Sequence, residues 1–566
     1  MKRFFYCIIF ACIAWNIVNA SPFRERIYVQ TDKQLYLAGE RIRMKVLTIN
    51  AEQIPVDFSK VAYAELVCDS VARAQIKVEL INGAGEGRMQ LPVDLPSGYY
   101  RLIAYTQFMR NEGPEVFFEK NIAVANTFQS GYQPVEQERA TESDTLLQES
   151  FAPANLDTSV NISLQPDKKI YTTREHGELI LSGLPENIHT LSVSITGKEW
   201  MPVAESDVSL FRKNQTKKSL TFTGVFLPEY EGHIVKGKII DNLTSAVKTD
   251  NDFLFPVLTF LGEGLHFFSG QKNKTGDVQF VTTGISETKE IATEIFFADG
   301  KYRVDIQSPF VTRFTPKPMP QLHIDTAYYG RLLERSVALQ VLNYFSDESS
   351  DHRIVSESYF KMKPSMSYKL DEYTRFTTMQ EVFTEFIFPA RFRRNGGKWE
   401  ISTLVKRGNE YSFGTSPLVL LDGVPVSDHD VIYNYNPLAV ERINIYYGPC
   451  FMGGYRFDGI VELITYRRLH QDLTLNKSTQ IISYEGPQSY QRFDTPDYSD
   501  ENNRKSPKPD ARHTLLWNPD VRTDGKTFIR LPFDTSDLTG EFQATVEGVT
   551  KDGKIIFITS VFKVER

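Results

Sequence analysis

The residues able to do acid–base, nucleophilic or metal chemistry are few and scattered. None of the nine His residues belongs to a His-Glu-x-x-His motif or another close pair, and no Cys-x-x-Cys spacing occurs. Zinc sites use such clusters because one helix turn or tight loop must aim two ligands at one ion. No Gly-x-Ser-x-Gly elbow or phosphate-cradling Gly-rich loop is present either. His429 stands between Asp428 and Asp430, the residue types of an acid/base cluster, but its place after a Gly-Val-Pro bend reads as a solvated turn. His513, close to Trp517, reads as structural. Asp497, Asp500 and Glu501 offer the oxygen ligands calcium takes, yet an acidic loop is ordinarily just solvated. No catalytic, cofactor-binding or metal-binding residue is therefore expected, and the chain reads as a non-enzyme.

The elements that would position any site are many. At roughly 150 residues per domain, 566 residues give about four domains. The composition, 41% hydrophobic and 24% charged, is that of globular protein. The 39 Phe and 27 Tyr, with 34 Gly and 28 Pro, favour β-structure joined by frequent turns. Lys plus Arg is 64 against 71 for Asp plus Glu, a net charge of −7, and no segment interleaves basic and aromatic residues, so a nucleic-acid partner is not expected.

Lys2 and Arg3 precede an apolar run over 4–18, and Val18-Asn19-Ala20 follows with the small residues a signal peptidase reads. The expectation is a secretory signal over 1–20, cut between Ala20 and Ser21, because the run falls short of the about 20 residues of a spanning helix. Lipidation at Cys12 is the alternative, against which the chain stays apolar through Ile13, Ala14 and Trp15. The mature chain then keeps Cys68 and Cys450, read as buried small residues in different domains. It has no later transmembrane segment.

Residues 21–126 alternate as strands, with Ile42, Met44, Val46 and Thr48 on one face, and turn signals stand between the runs. This is the pattern of an antiparallel sandwich. The run Thr31-Asp32-Lys33-Gln34-Leu35-Tyr36-Leu37-Ala38-Gly39-Glu40, with Leu95-Pro96-Ser97-Gly98-Tyr99-Tyr100 near the block's end, resembles the macroglobulin-type sandwiches of the α2-macroglobulin superfamily. The stretch Ala104-Tyr105-Thr106-Gln107-Phe108 is similar to versions in envelope proteins of Bacteroidota. A polar stretch over 127–159 reads as a linker. After it Asp167-Lys168-Lys169-Ile170-Tyr171, followed by Glu175, echoes Asp32 to Tyr36 followed by Glu40, which predicts a second sandwich over 160–226. The thioester of that superfamily needs a Gly-Cys-Gly-Glu-Gln run, and Cys450 lies in Gly-Pro-Cys-Phe, so covalent trapping is not expected.

A third β-region follows over 227–315; its opening resembles carboxypeptidase-regulatory-like sandwiches. A helix over 328–345, set by the period of Leu332, Leu333, Val337 and Val341, lies in a connector over 316–369. Residues 370–470 then read as a compact α+β unit: a strand, an Asp-Gly-Val-Pro turn, a short helix capped by Asn436 with Pro437 at its first position, and two further strands. Asp422, Gly423 and Pro425, Asn436 and Pro437, Glu441, Gly448 and Pro449, and Gly459 make this unit resemble the plug domain of TonB-dependent outer-membrane receptors. It departs from that pattern at Phe457-Asp458 and at Cys450. A receptor barrel of about 22 strands needs upward of about 200 residues. Only 469–566 remain, so a plug fold without its own barrel is expected.

Residues 471–511 read as a polar linker. Residues 512–566 read as a short C-terminal β-segment with Trp517 as anchor, completing a sandwich begun by an earlier block. The fold class is mainly β: tandem antiparallel sandwiches, a small α+β plug-like unit and this C-terminal segment. What the resemblances imply is a non-enzymatic exported protein of the cell envelope, periplasmic or outer-membrane associated, whose partner is an outer-membrane or other envelope protein. Two other classes stand beside it. One is a surface-delivered module binding a polymer or peptide, its ligand unnamed; the other is a hydrolase, for which no nucleophile–base pair is visible.

Overall fold

The computed structural model describes residues 23–50, 54–128, 162–198, 222–249, 254–262, 265–298, 300–322, 324, 328–345, 363–407, 410–452, 454–467 and 477–566. The signal segment with Ala20 and Ser21, and nearly all of the 127–159 linker, lie outside the described residues. The fold is mainly β, and the chain divides into two compact units, one of 1–228, 312–353 and 489–566, the other of 229–311 and 354–488.

The first unit opens with a sandwich of eight strands: β1 (Glu25–Thr31), β2 (Leu35–Leu37), β3 (Arg41–Asn50), β4 (Val61–Cys68), β5 (Val71–Glu79), β6 (Ala84–Gln90), β7 (Gly98–Tyr105) and β8 (Phe118–Ala125). One sheet has the order β1-β3-β6 and the other β2-β8-β7-β4-β5, with β2 lying parallel to β8. Ile42, Met44 and Val46 are fully buried between the sheets, as a period of two requires. The other face of β1 and β3 is buried as well: the Tyr28 hydroxyl donates to Glu547 Oε2 at 2.9 Å, Ser192 Oγ bonds Gln30, and Lys45 Nζ bonds Thr190. That face packs on the second sandwich.

The second sandwich starts with β9 (Ser163–Pro166), β10 (Ile170–Thr172), β11 (His176–Ser182) and β12 (Ile188–Gly197). The chain then departs for more than half its length before returning to it. The second unit takes up β13 (His233–Asp241), β14 (Phe255–Phe260), β15 (Phe267–Ser269), β16 (Gln271–Lys272), β17 (Asp277–Thr282), β18 (Thr288–Phe296) and β19 (Tyr302–Ile306). These form two sheets over a core of Val235, Leu258, Phe260, Phe280 and Ile291. Helix α1 (Tyr329–Phe345) belongs to the first unit, where Leu332 and Leu339 pack on Leu35, Leu37 and Ala123.

The plug-like part of the second unit comprises β20 (Met366–Lys369), α2 (Met379–Glu385), β21 (Ala390–Asn395), β22 (Lys398–Arg407), β23 (Glu410–Gly414), β24 (Leu418–Leu421), β25 (Val424–Pro425), α3 (Asp430–Tyr433), β26 (Val440–Met452) and β27 (Tyr455–Thr465). Its main sheet has the order β20-β26-β27-β24-β25, with β24 parallel to β27, and β21-β22-β23 form a second sheet. Thr378 and Glu381 close a capping box on α2, which buries Met379, Val382 and Phe383. Phe255, Phe267 and Phe296 share one core with Leu418, Phe457 and Ile460, so the third sandwich and the plug-like sheet are packed together. The unit ends with β28 (Gln480–Glu485), which pairs antiparallel with β18 and so completes the third sandwich.

Helix α4 (Glu501–Arg504), β29 (Thr514–Asn518), β30 (Phe528–Asp534), β31 (Gly540–Thr550) and β32 (Ile555–Glu565) close the chain. They finish the second sandwich, whose sheets are β9-β11-β30 and β10-β32-β31-β12-β29. Strand for strand this is the order of the first sandwich, down to the parallel contact of β10 with β32. The two copies differ in continuity, because the second is split between β12 and β29 by everything from 198 to 513. The ends of that insertion meet: the Gly197 N–H donates to the His513 carbonyl at 3.0 Å.

Several boundaries read from the sequence change accordingly. The blocks 160–226 and 512–566 are halves of one sandwich, neither burying a core alone. The third sandwich needs β28 in addition to 227–315. The connector over 316–369 includes β20, a strand of the plug-like sheet. The stretch over 471–511 is not a linker in its described part. It contains β28, and its polar second half is held by Arg174, which donates to the carbonyls of Arg504 (3.2 Å) and Lys508 (2.8 Å) and pairs with Asp537 (2.6 Å). Polar composition hid this order because hydrogen bonds secure most of the segment, with Tyr498 as its buried anchor.

Candidate functional site

The plug-like residues hold backbone in place. Asp422 adopts a positive φ of 50° and is buried, its carboxylate accepting from the Thr465 N–H (2.8 Å) and hydroxyl (2.6 Å), which staples the ends of β24 and β27 together. Gly423 follows at φ 85°, and a Cβ there would lie 2.5 Å from the Phe260 carbonyl oxygen. Only glycine lets the turn approach the third sandwich this closely. Pro425 pairs with Leu420 across the turn. The Asn436 side chain accepts from the Leu438 N–H at 3.0 Å and Pro437 opens a single 3-10 turn. Gly448 at φ 107° and Pro449 sit at a bulge between β26 and β27, and Gly459 at φ 143° leaves room for Thr403. Glu441 pairs with its neighbour Arg442 at 3.2 Å on a half-buried edge.

The other candidates are also structural. His429 departs from the solvated turn expected of it: its Nδ1 accepts from the Ile401 N–H at 3.0 Å and burial pulls its pKa down to about 4, so it is a neutral acceptor tying α3 to β22. Asp500 caps α4 through the Asn502 N–H, and Glu501 pairs with Lys505. Asp497 instead lies near His176 and Asp534, where His176 Nδ1 is 3.0 Å from Asp534 Oδ1. Asp534 also accepts from the Tyr498 N–H, which makes the group a tether for the 494–511 segment. Cys68 and Cys450 are free and half-buried, not fully buried, and burial raises the Cys450 thiol.

The repeated signature carries a shared hydrogen-bond set. The Tyr36 hydroxyl donates to Asp32 Oδ1 (2.6 Å) and accepts from the Lys33 N–H (3.1 Å); Tyr171 does the same with Asp167 (2.7 Å) and Lys168 (3.1 Å). Asp32 accepts from the Arg43 N–H and Asp167 from the Glu178 N–H. Glu40 accepts from the Leu37 N–H and Lys33 Nζ, Glu175 from the Thr172 N–H and Lys168 Nζ. Five matching hydrogen bonds therefore build one turn geometry twice.

The copies diverge at Glu40 and Glu175. In the first, α1 adds Arg335, whose guanidinium bonds both oxygens of Glu40 at 3.1 and 2.9 Å. Two cations hold the Glu40 carboxyl well below the usual carboxylate range despite its burial. Beside this triad lies a cavity of about 290 Å³ lined by Arg41, Arg43, Arg88, Arg335 and Arg492 and by Leu339 and Leu342 of α1. The alternation Arg41-Ile42-Arg43 was the available signal, since it sets two cations on the face opposite the core residues.

No protein-family model and no curated protein sequence matches the chain. Among solved structures it is similar to Salmonella alpha-2-macroglobulin reacted with methylamine, at 8% identity over 96% of this chain and 40% of that one, with a TM-score of 0.25. The native conformation of E. coli alpha-2-macroglobulin gives 10% identity, 96% and 40% coverage and a TM-score of 0.23. The Yersinia pseudotuberculosis adhesin InvE gives 10%, 50% and 57%, and 0.13. The chain spans about 40% of the length of the two macroglobulins. Superposition this poor leaves the fold to rest on the strand orders themselves.

Proposed function

We propose that the chain is an exported, non-enzymatic protein of the bacterial cell envelope that works through protein–protein contacts at or near the outer membrane. In this reading the two matching sandwiches are macroglobulin-type modules forming a frame, and the plug-like unit, as in Bacteroidota envelope proteins, is the docking element. The observation that carries it is the division of labour within the plug-like unit. Its turn and cap residues all serve backbone geometry, while large apolar side chains stand in solvent: Phe388 is 76% exposed, Phe451 75% and Tyr411 57%. Aromatic side chains are enriched among the residues that anchor protein partners. Among the described residues no helix is long and apolar enough to cross a membrane.

Proximity labelling in the native cell tests the reading. Labelled neighbours should be dominated by outer-membrane and envelope proteins. A set confined to cytoplasmic proteins would sink the proposal.

A further inference from the structure

The cavity of the first unit carries more positive charge than its own acids use. Glu40 is already taken by Arg335, Lys33 and a backbone N–H. Glu86 accepts from Trp517 Nε1 at 3.0 Å and from the Gln491 N–H at 3.2 Å, and burial raises its carboxyl toward the neutral form. Arg88 donates to the Ser489 carbonyl at 3.1 Å and pairs with Glu86 at 4.0 Å. The half-buried Arg43 guanidinium is different: it lies over the Phe493 ring at 4.6 Å, and among the described residues no carboxylate or carbonyl bonds it. Stacking on an aromatic face fixes the plane of a guanidinium and leaves its N–H edge available for an oxyanion. The lining also includes Ala338, Leu339 and Leu342 of α1 and His513, whose buried Nδ1 has no hydrogen-bond partner among the described residues. Pockets that take small ligands combine an apolar wall with a few convergent polar groups, and about 290 Å³ is at the small end of that class.

We propose that this cavity binds a small organic oxyanion, a carboxylate or phosphate on a short apolar body, with its head group on the Arg43 edge and its body against Leu339 and Leu342. The second sandwich acts as an internal control. It has the same Asp-Lys-Tyr-Glu turn, but Lys168 and Glu175 pair at the surface, and among the described residues no arginine bonds Glu175. The added helix and the cavity are thus not required by the shared turn. The inference is independent of the plug-like unit's partner.

Isothermal titration of the full chain with phenyl phosphate, 4-phenylbutyrate and the neutral 4-phenylbutyramide tests it and separates the two head groups. At least one anion should bind with Kd below about 1 mM, the amide at least about tenfold more weakly. Arg43→Gln should weaken the binding anion about tenfold. Arg530→Gln, on the outside of the second sandwich, should leave it unchanged. Should Arg43→Gln fail to fold, Leu342→Asp puts a like charge in the apolar wall and should abolish binding. Failure of both anions at about 10 mM, equal binding of the amide, or an unchanged Kd in a folded Arg43→Gln or Leu342→Asp protein overturns the proposal.

Discussion

Tyr36 and Tyr171 occupy one position in two copies of the same turn, and their hydroxyls close it by bridging an Asp side chain and a Lys N–H. Tyr36 is completely buried, so Tyr36→Phe strands the Lys33 N–H away from water and takes one of its two donors from Asp32 Oδ1. The expected cost is about 1–3 kcal/mol, read by denaturant unfolding. Tyr171→Phe should cost less, because the Lys168–Glu175 side of its turn is open to solvent. Gly423→Ala should destabilise the second unit by at least about 1 kcal/mol, since positive φ and the Phe260 carbonyl both resist a Cβ. Limited proteolysis between 254 and 465 should then accelerate.

Glu294 gives a pH dependence. Burial pushes its carboxyl up to about 7 from an ordinary 4.5, with Ser427 as partner. Between those values the folded protein keeps a proton that the unfolded chain has released. Stability from this residue therefore falls as pH rises from about 4.5 through about 7. Unfolding free energies at pH 5 and pH 8 should differ by on the order of 2–3 kcal/mol more in the native chain than in Glu294→Gln. Equal pH slopes for the two proteins would contradict the burial assigned to it.

At the scale of elements, the second sandwich is assembled from segments far apart in sequence. Gly197 and His513 meet across one hydrogen bond, and β12 runs antiparallel to β29. Replacing 198–513 by an Asn-Gly turn should join them as an ordinary hairpin, and the shortened chain should keep two cooperatively unfolding sandwiches by calorimetry. A chain ending at 511 should lose the second sandwich, because β9 to β12 would then expose Leu179, Leu181, Leu191 and Val193. Persistence of the sandwich in that truncated chain would refute the pairing.

Local order was legible in the residues, and long-range order was not. The cap at Asn436, the strands around 440–465 and the Asp-Lys-Tyr-Glu echo all follow from spacings within about ten residues. The split sandwich does not, because strand pairing over hundreds of residues leaves no local period. The segment over 489–511 misled for another reason: Arg174 satisfies it through carbonyls, and a carbonyl acceptor has no signature in side-chain composition. The arginine cavity went unread because its residues come from two strands, a helix and a loop.

At the scale of the whole molecule, repetition separates frame from function. What the two sandwiches share, strand order and turn network, is architecture; the arginine cavity, which among the described residues lies on the first sandwich under α1, is a candidate for ligand chemistry. The plug-like unit, whose turn and cap residues serve its backbone while its aromatics stand exposed, is the candidate for partner contact. Site-specific photo-crosslinking tests that assignment. With a photoreactive phenylalanine at Phe451 or Phe388 in the native cell, a discrete adduct to an envelope protein is expected, absent when the same probe replaces Val561 on the second sandwich. Adducts of equal yield from all three positions, or none from the plug-like unit, would contradict it.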